Sequence, residues 1–310
     1  MKYRRVAGKT VTALALGLDK FTLADREQFN MLADSYLAMG GSCFDTARIY
    51  GGGESEQLTG LYMEERRCRR QIYLSTKIGF PDREDNWRSR LSEPELEQDI
   101  RASLDALRTD SVDICWLHRD DESLPVSEII LRMNRLRDRG FFDAFGASNF
   151  RAVRIEQAND FAAANGLAGF AASQIQWSAA VTEEARYCDH GVCIMNASEY
   201  EAYLKMELPV FCYAPLAGGY FNKILTGAPM TDKLRTRFDT PANRRRAERV
   251  AKIARETGHS TAAVTLSYLL SNQLPAVVIT GAKKPEHLNE SFEAFSVPGG
   301  PYGFPFAAEN

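Results

Sequence analysis

The 310-residue sequence predicts an α/β fold in which repeated strand–helix units close into a barrel. Short apolar runs alternate with amphipathic helical stretches almost from end to end, which favours parallel strands joined by helices. Several of these runs end in a titratable residue, as buried parallel strands do where their C-terminal ends open into a site. Eight alternations fit a chain of this length. We therefore expect one (β/α)8 TIM barrel domain over residues 1–310, with extended rim loops.

The individual elements carry local signals. The helix near 93–108 follows Ser92, has acidic residues in its first turn, and repeats leucine and isoleucine on one face. Residues 1–10 predict a hairpin or lead-in that could plug the bottom of the barrel. Strands are expected at 11–18, 42–47, 72–79, 112–118, 142–148, 170–176, 209–214 and 276–281. Helices are expected near 25–39, 54–67, 93–108, 126–139, 151–165, 198–206, 243–257 and 285–296, with an additional one at 261–271.

Three regions break the strand–helix rhythm and are predicted to be rim loops. They follow the third, sixth and seventh strands, at 81–88, 179–197 and 217–242. The C-terminal rim is where the loops of such barrels build a site. We therefore expect the substrate to be chosen there.

Composition excludes several classes of function. A formal net charge of -3 gives no basic excess for a nucleic-acid backbone, and no apolar run is long enough to cross a membrane. The six cysteines include no CxxC pair and are typical of reduced, buried thiols, so a cytoplasmic protein is expected. Cys188, His190 and Cys193 form a small cluster without a second ligand group, and no metal site is expected.

Polar residues at the ends of the second, third and fourth strands suggest a proton-transfer site. Reduction of a carbonyl needs a donor for the oxygen, and Tyr50 is the candidate, although a free tyrosine has a pKa of about 10. An ammonium at Lys77 would favour the phenolate, Asp45 would supply the counter-charge, and His118 would hydrogen-bond the substrate oxygen. Taken singly, Tyr50 is typical of a capped surface aromatic and His118 of a structural histidine. Their combination favours chemistry.

The sequence resembles the aldo-keto reductase family over most of residues 1–296. The resemblance rests on the quartet above and on the phrases Asp45-Thr46-Ala47-Arg48-Ile49-Tyr50-Gly51 and Gly53-Glu54-Ser55-Glu56. It implies a barrel enzyme that reduces an aldehyde or ketone with NADPH. It also implies catalytic roles for Asp45, Tyr50, Lys77 and His118, with Tyr50 as the general acid.

The resemblance extends to the cofactor. It implies that Ser148, Asn149 and Gln174 hold the nicotinamide carboxamide and that Tyr213 stacks on the nicotinamide ring. A glycine turn that leads into a helix N-terminus is also a natural anion site, and lysines there favour NADP(H) over NAD(H), the alternative cofactor. The remaining expected cofactor contacts are Gly17, Pro215, Leu216, Gly281, Ala282, Lys283, Lys284, His287, Glu290 and Ser291. Ser291 departs from the family pattern, which usually has asparagine there.

Competing functions remain open at this stage. The leading one is reduction of a small carbonyl, sugar-derived compounds included, and the alternative is a cofactor-binding regulatory barrel with little turnover. The channel-associated relatives lack histidine at the position of His118, and a phosphate-binding barrel isomerase would need no nicotinamide-stacking aromatic. Substrate contacts are expected from Trp87, Trp177, the segment 217–223, Arg48 and Arg119, with small polar carbonyls preferred. The sequence leaves the physiological substrate, the direction and the oligomeric state open, and a monomer is compatible with it.

Overall fold

A closed barrel of eight parallel strands organises the chain, as the alternation of strands and helices predicts. The computed structural model describes residues 2–187 and 191–298. The strands run in the order β10-β3-β4-β5-β6-β7-β8-β9, and β1 and β2 form a separate antiparallel pair. The strands are β1 Tyr3–Val6, β2 Lys9–Thr12, β3 Leu14–Gly17, β4 Cys43–Asp45, β5 Tyr73–Ile78, β6 Val112–Leu117, β7 Phe142–Ser148, β8 Ser173–Gln176, β9 Val210–Tyr213 and β10 Ala276–Thr280.

Helices lie between the barrel strands and bury one face against them. Their bounds are α1 Arg26–Ala38, α2 Glu54–Arg66, α3 Glu93–Leu107, α4 Val126–Asp138, α5 Ala152–Ala164, α6 Ala197–Met206, α7 Tyr220–Thr226, α8 Asp232–Phe238, α9 Pro241–Thr257, α10 Thr261–Leu270 and α11 Pro285–Glu293. The helix added before the last strand is confirmed as α10. The region 217–242 was expected to be a loop, but it contains α7 and α8, whose short seven-residue lengths give weak periodicity. None of the described helices is long and apolar enough to span a membrane.

The expectation of one strand over 11–18 is wrong, because that stretch belongs to two strands. Lys9–Thr12 is the second strand of the hairpin, and Leu14–Gly17 is the first strand of the barrel. The hairpin itself is confirmed, with Tyr3 opposite Thr12. Val11 packs in the apolar cluster inside the barrel, and Lys9 Nζ lies 2.5 Å from a carboxylate oxygen of Asp113. The hairpin therefore closes the N-terminal end of the barrel.

The interior of the barrel is apolar below and polar above. Side chains alternate between the two faces of a strand, so residues two apart along β5 or β6 point the same way. The inner cluster includes Tyr73, Ile114 and Trp116, and the Trp116 ring lies 4.9 Å from the Phe211 ring. Gly146 leaves room for that indole, since a Cβ there would lie 2.3 Å from it. The polar side chains two residues further along the strands therefore lie directly above a tightly packed apolar layer.

Candidate active site

The strand register brings the predicted catalytic residues to one end of the barrel. Asp45 pairs with Ser75 across β4 and β5, and Lys77 pairs with Trp116 across β5 and β6. His118 follows β6 and is two residues beyond Trp116, so it continues the same inward-facing column. Asp45 is 3% exposed and Lys77 is 1% exposed, so both charges are removed from water.

Lys77 is held by a nearly complete set of acceptors. Its Nζ donates to Asp45 Oδ2 at 2.6 Å and to the carbonyl oxygen of Thr46 at 2.8 Å. An ammonium has three donors, and the third is directed toward Tyr50, whose ring centroid lies 4.7 Å from Nζ. Burial lowers the pKa of Lys77, but Asp45 and then Tyr50 outweigh that effect, and the net shift is upward. Lys77 is therefore charged at neutral pH.

Asp45 is itself fixed by neutral donors. Its Oδ1 accepts from Ser75 Oγ at 2.7 Å and from Gln174 Nε2 at 3.0 Å. A carboxylate that is hydrogen-bonded and paired in this way keeps one position. Gln174, which the resemblance assigns to the nicotinamide carboxamide, thus makes its described contact with the Asp45 carboxylate.

Tyr50 begins a tight glycine turn, Tyr50–Gly53. Gly51 and Gly52 have φ of 57° and 65°, which glycine adopts without steric cost, and the turn leads directly into α2. The side chain is half-buried. Burial raises the pKa of Tyr50, while the neighbouring Lys77 lowers it, and burial prevails. Lys77 therefore acts on the pKa of Tyr50 in the direction that the sequence predicts, but its effect is smaller than that of burial.

His118 completes the constellation as a neutral imidazole. Its ring lies 6.0 Å from the Tyr50 ring and 4.9 Å from the Phe80 ring, edge to face in both cases. Burial, followed by the charges of Lys77 and Arg119, lowers the pKa of His118 well below its usual value. Among the described residues, its Nδ1 has no hydrogen-bond partner. A neutral ring with a spare nitrogen can bind a polar substrate atom without moving a proton.

The residues expected at the nicotinamide form a connected group beside this quartet. Asn149 has φ of 60°, and its Oδ1 accepts from Tyr213 Oη at 2.6 Å and from the Cys193 amide at 3.1 Å. Asn149 Nδ2 lies 3.0 Å from Ser148 Oγ. Ser148 is buried and Tyr213 is half-buried, so the phenol keeps an accessible surface. Pro215 is buried and Leu216 half-buried in the turn that follows β9.

The segment expected at the adenosine end is only partly exposed to solvent. Gly281, Lys283, Lys284 and His287 are exposed, Glu290 is half-exposed, and Ala282 is buried. Ser291 is 2% exposed, and its Oγ donates to the His287 carbonyl oxygen at 2.8 Å and lies 3.0 Å from Thr280 Oγ1. An adenine contact through the Ser291 side chain is therefore wrong. Serine here joins α11 to β10.

Gly17 has a packing role that the sequence did not indicate. It pairs with Asp45, and a Cβ on it would lie 2.7 Å from Ile279 Cγ2 and 3.1 Å from the Thr280 carbonyl oxygen. Only glycine allows β3 and β10 to approach this closely. Lys20 was also missed as a candidate, although its Nζ would lie 3.0 Å from a Cβ on Gly281. Its position in the loop after β3 gave no signal in the sequence.

Glu56 stabilises the turn Tyr50–Gly53 from inside the protein. It is fully buried, accepts from Thr76 Oγ1 at 2.5 Å, and pairs with Arg48 Nη1 at 2.6 Å. Arg48 also fills the space beside Gly53, where a Cβ would lie 2.5 Å from Nη2. The expectation that Arg48 contacts the substrate is therefore wrong. Arg48 and Glu56 hold the two ends of the Tyr50 turn together.

Replacing Glu56 with glutamine is expected to destabilise the protein by about 2–4 kcal/mol, because Arg48 loses its charged partner in a largely buried setting. The midpoint of urea unfolding measures this change. Glu54 begins the same helix, and within the described residues its carboxylate accepts from the Leu23 amide at an exposed position, so Glu54→Gln is the matched control. Equal midpoints for the two variants would show that the Arg48–Glu56 pair contributes little.

Another expected substrate contact is also wrong. Trp177 is 1% exposed and packs against Tyr200 and Tyr268, so it belongs to the core. In the segment 217–223, Tyr220 and Phe221 are buried at the start of α7, whereas Gly218 and Asn222 are exposed. A substrate contact from this segment therefore stays a prediction. Arg119 is 9% exposed and donates to the His118 carbonyl oxygen at 2.9 Å, and Trp87 is 38% exposed near the site.

Metal binding has no support among residues 2–187 and 191–298, where no group of His, Cys, Asp and Glu could hold an ion. Cys193 is buried beside Asn149. Cys188 and His190, the other members of the cluster noted in the sequence, lie outside the described residues.

Comparison with known proteins identifies the class that this fold and site define. The model of the Aldo/keto reductase family matches residues 13–299. The chain therefore belongs to the aldo/keto reductase family and is an NAD(P)H-dependent oxidoreductase of carbonyl compounds.

Individual relatives share less than a third of their aligned residues with this chain. Norsolorinic acid reductase of Aspergillus flavus is 28% identical over 307 residues, covering 94% of this chain and 75% of that protein. An aryl-alcohol dehydrogenase of Pestalotiopsis microspora is 30% identical over 279 residues, covering 86% and 68%. The solved thermostable aldo-keto reductase Tm1743, in complex with the inhibitor epalrestat, has a TM-score of 0.72 at 22% identity and covers 96% of both chains. That likeness concerns the fold.

Proposed function

We propose that this chain reduces aldehydes or ketones to alcohols with NADPH and that Tyr50 is the general acid. One observation carries the proposal: a buried ammonium, Lys77, links the Asp45 carboxylate, 2.6 Å away, to the Tyr50 ring, 4.7 Å away. A buried ion pair is costly to form, and a phenol with a perturbed pKa beside it is typical of a functional site.

The proposed division of roles follows from charge. When bound, the nicotinamide cofactor supplies hydride to the carbonyl carbon. Tyr50 donates its proton to the carbonyl oxygen, and Lys77 stabilises the phenolate that remains. His118, neutral and with an unpaired Nδ1, donates one hydrogen bond to orient that oxygen. Asp45 keeps Lys77 charged throughout.

The described residues fit a dinucleotide. Half-buried Tyr213 offers an aromatic surface, and Asn149 and Ser148 offer polar groups beside it. At the other end, exposed Gly281 precedes the N-terminus of α11, where backbone N–H groups lack partners and favour phosphate. Lys20 stands beside Gly281, and Lys283 and Lys284 follow it. Three ammonium groups in this region support NADPH over NADH.

Aromatic carbonyls are the proposed substrate class. One relative is named as a reductase of norsolorinic acid and another as an aryl-alcohol dehydrogenase. In this chain the Phe80 ring lies next to His118, and the Trp87 ring lies next to Phe80. These observations favour an aromatic substrate over the sugar-derived one that the sequence left open.

The proposed function is tested by following NADPH and NADH oxidation with aryl aldehydes, aryl ketones, a sugar aldehyde and a steroid ketone. We expect the highest kcat/KM for an aryl carbonyl with NADPH. Tight NADPH binding without turnover of any carbonyl would favour the regulatory barrel instead.

Replacing Lys283 and Lys284 together with alanine is expected to raise the Kd for NADPH by roughly 2- to 30-fold, because two exposed charge pairs with a 2′-phosphate contribute about 0.2–1 kcal/mol each. The Kd for NADH should hardly change, since its ribose hydroxyl gains little from an ammonium. Fluorescence titration of both cofactors measures this, with Lys205→Ala on exposed α6 as the control. Equal losses for the two cofactors would contradict the assignment.

A further inference from the structure

We propose that the loop 80–88 makes the site selective for aromatic carbonyl compounds that carry an anionic group, with Arg83 as the residue that binds the anion. This inference rests on the proposed function, because it names the substrate class of the same site. The loop joins β5, which carries Lys77, to α3 and therefore lies on the catalytic rim.

An unbroken aromatic surface leads outward from the catalytic histidine. The Phe80 ring is 4.9 Å from the His118 ring, and the Trp87 ring is 6.2 Å from the Phe80 ring. Phe80 is 6% exposed and Trp87 is 38% exposed, so the surface runs from the buried site to solvent. The guanidinium of Arg83 lies 4.8 Å from the Phe80 centroid and 5.3 Å from the Trp87 centroid.

The charge of Arg83 is not neutralised by its neighbours. Two acids near it in the loop, Asp82 and Asp85, lie within 4.0 Å of Arg88, at 3.9 and 2.9 Å, and the exposed Glu84 beside it forms no described salt bridge. Arg88 also reaches Glu95 at 2.8 Å. Within the described ranges 2–187 and 191–298, no carboxylate forms a salt bridge with Arg83. Arg88 thus pairs with two of the three acids of the loop, and the described contacts of the Arg83 guanidinium are with the Phe80 and Trp87 rings.

The backbone holds this arrangement in an unfavourable conformation. Asn86 and Trp87 have φ of 47° and 60°, in the left-handed region that is rare for a bulky residue such as tryptophan. The Asp82 amide donates to the Arg88 carbonyl oxygen at 2.9 Å and closes the loop across these two residues. Strained, exposed residues persist at sites of function more often than elsewhere. Trp87 is held where a ligand ring could stack.

These features define a substrate with three parts. A carbonyl group would meet Tyr50 and His118, a flat ring would lie along Phe80 and Trp87, and a carboxylate or phenolate would pair with Arg83. A guanidinium that is already ordered by stacking binds a carboxylate with little loss of freedom. A neutral sugar has neither the aromatic ring nor the anion, and a steroid ketone has no anion.

The test compares 4-formylbenzoate with its neutral methyl ester, first as substrates with NADPH and then as ligands by titration calorimetry. In the wild-type enzyme we expect kcat/KM for the anion to exceed that for the ester by about tenfold, which corresponds to one charged hydrogen bond. Arg83→Met should remove this preference and leave kcat/KM for the ester within about twofold. Arg83→Lys should keep part of it.

Arg101→Met is the matched control. The Arg101 guanidinium lies 4.8 Å from the Phe141 ring, the same distance as Arg83 from Phe80, but Phe141 precedes β7 at the opposite end of the barrel. We expect this variant to keep the anion preference. Turnover of both compounds at equal efficiency, or an unchanged preference in Arg83→Met, would overturn the inference and leave the proposed function standing. Charge-selective binding that Arg83→Met abolishes, without turnover, would support the inference and contradict the proposed function.

Discussion

Tyr50→Phe is expected to lose reductase activity by roughly 10²–10⁴-fold in kcat, because positioned proton transfer typically contributes that much. The ring of phenylalanine keeps the packing against His118, whose centroid is 6.0 Å away, and only the hydroxyl is lost. The affinity for NADPH and the unfolding midpoint should therefore stay near the wild-type values. Steady-state kinetics with an aryl aldehyde, together with cofactor titration, measure these quantities.

Tyr62→Phe is the matched control for that prediction. Its hydroxyl donates to Asp34 Oδ1 at 2.9 Å on the outer face of the barrel, so the variant also loses one hydrogen bond. Turnover in Tyr62→Phe should match that of the wild type. If Tyr50→Phe behaved in the same way, Tyr50 would not be the acid.

The position of the candidate catalytic residues could be predicted because barrel topology leaves few choices. Parallel strands place their C-terminal ends on one rim, and alternation along each strand decides which side chains face inward. Lys77 closes an apolar strand, and His118 lies two residues beyond the inward-facing Trp116. The strand pattern therefore brings these residues together before any distance is known. The hairpin before the barrel could be predicted from its place ahead of the first strand–helix repeat.

The errors concern side-chain partners that the local sequence pattern does not reveal. Arg48 is drawn away from the rim by the buried Glu56, and Trp177 enters the core beneath α6 and α10. Neither direction follows from the local pattern, since an arginine or a tryptophan after a strand fits a rim equally well. Lys20 and Gly281 lie near opposite ends of the chain, and closure of the barrel brings them together.

The upward shift in the pKa of Tyr50 is a second feature that could not be predicted from the sequence. The sequence indicates the cation beside the phenol but not how deeply the phenol is buried. Burial raises the pKa of Tyr50 more than Lys77 lowers it. The balance of two opposing effects depends on solvent exposure, which a strand pattern does not determine.

Lys77→Met is expected to reduce turnover steeply, because the phenolate left by proton transfer loses its neighbouring cation. Reduction requires protonated Tyr50, so activity falls as pH rises through the pKa of the coupled Lys77–Tyr50 pair. Lys77 lowers the pKa of Tyr50, and its removal must raise that pKa further. The alkaline limb of the remaining activity should therefore move to higher pH. A pH profile of kcat in both proteins measures the shift, and an unchanged limb would assign Lys77 a structural role only.

Asp45→Asn tests whether Asp45 acts by keeping Lys77 charged, because the variant retains the lysine side chain and removes the neighbouring carboxylate. Without the carboxylate, burial lowers the pKa of Lys77 with less to oppose it, since Asp45 is the largest of the effects that raise that pKa. The lysine of this variant should lose its proton at a lower pH than in the wild type and regain it as the solution is acidified. Turnover in Asp45→Asn should consequently recover at low pH, whereas Lys77→Met, which has no ammonium to restore, should not recover. Parallel profiles in the two variants would mean that Asp45 acts by packing rather than by holding the charge.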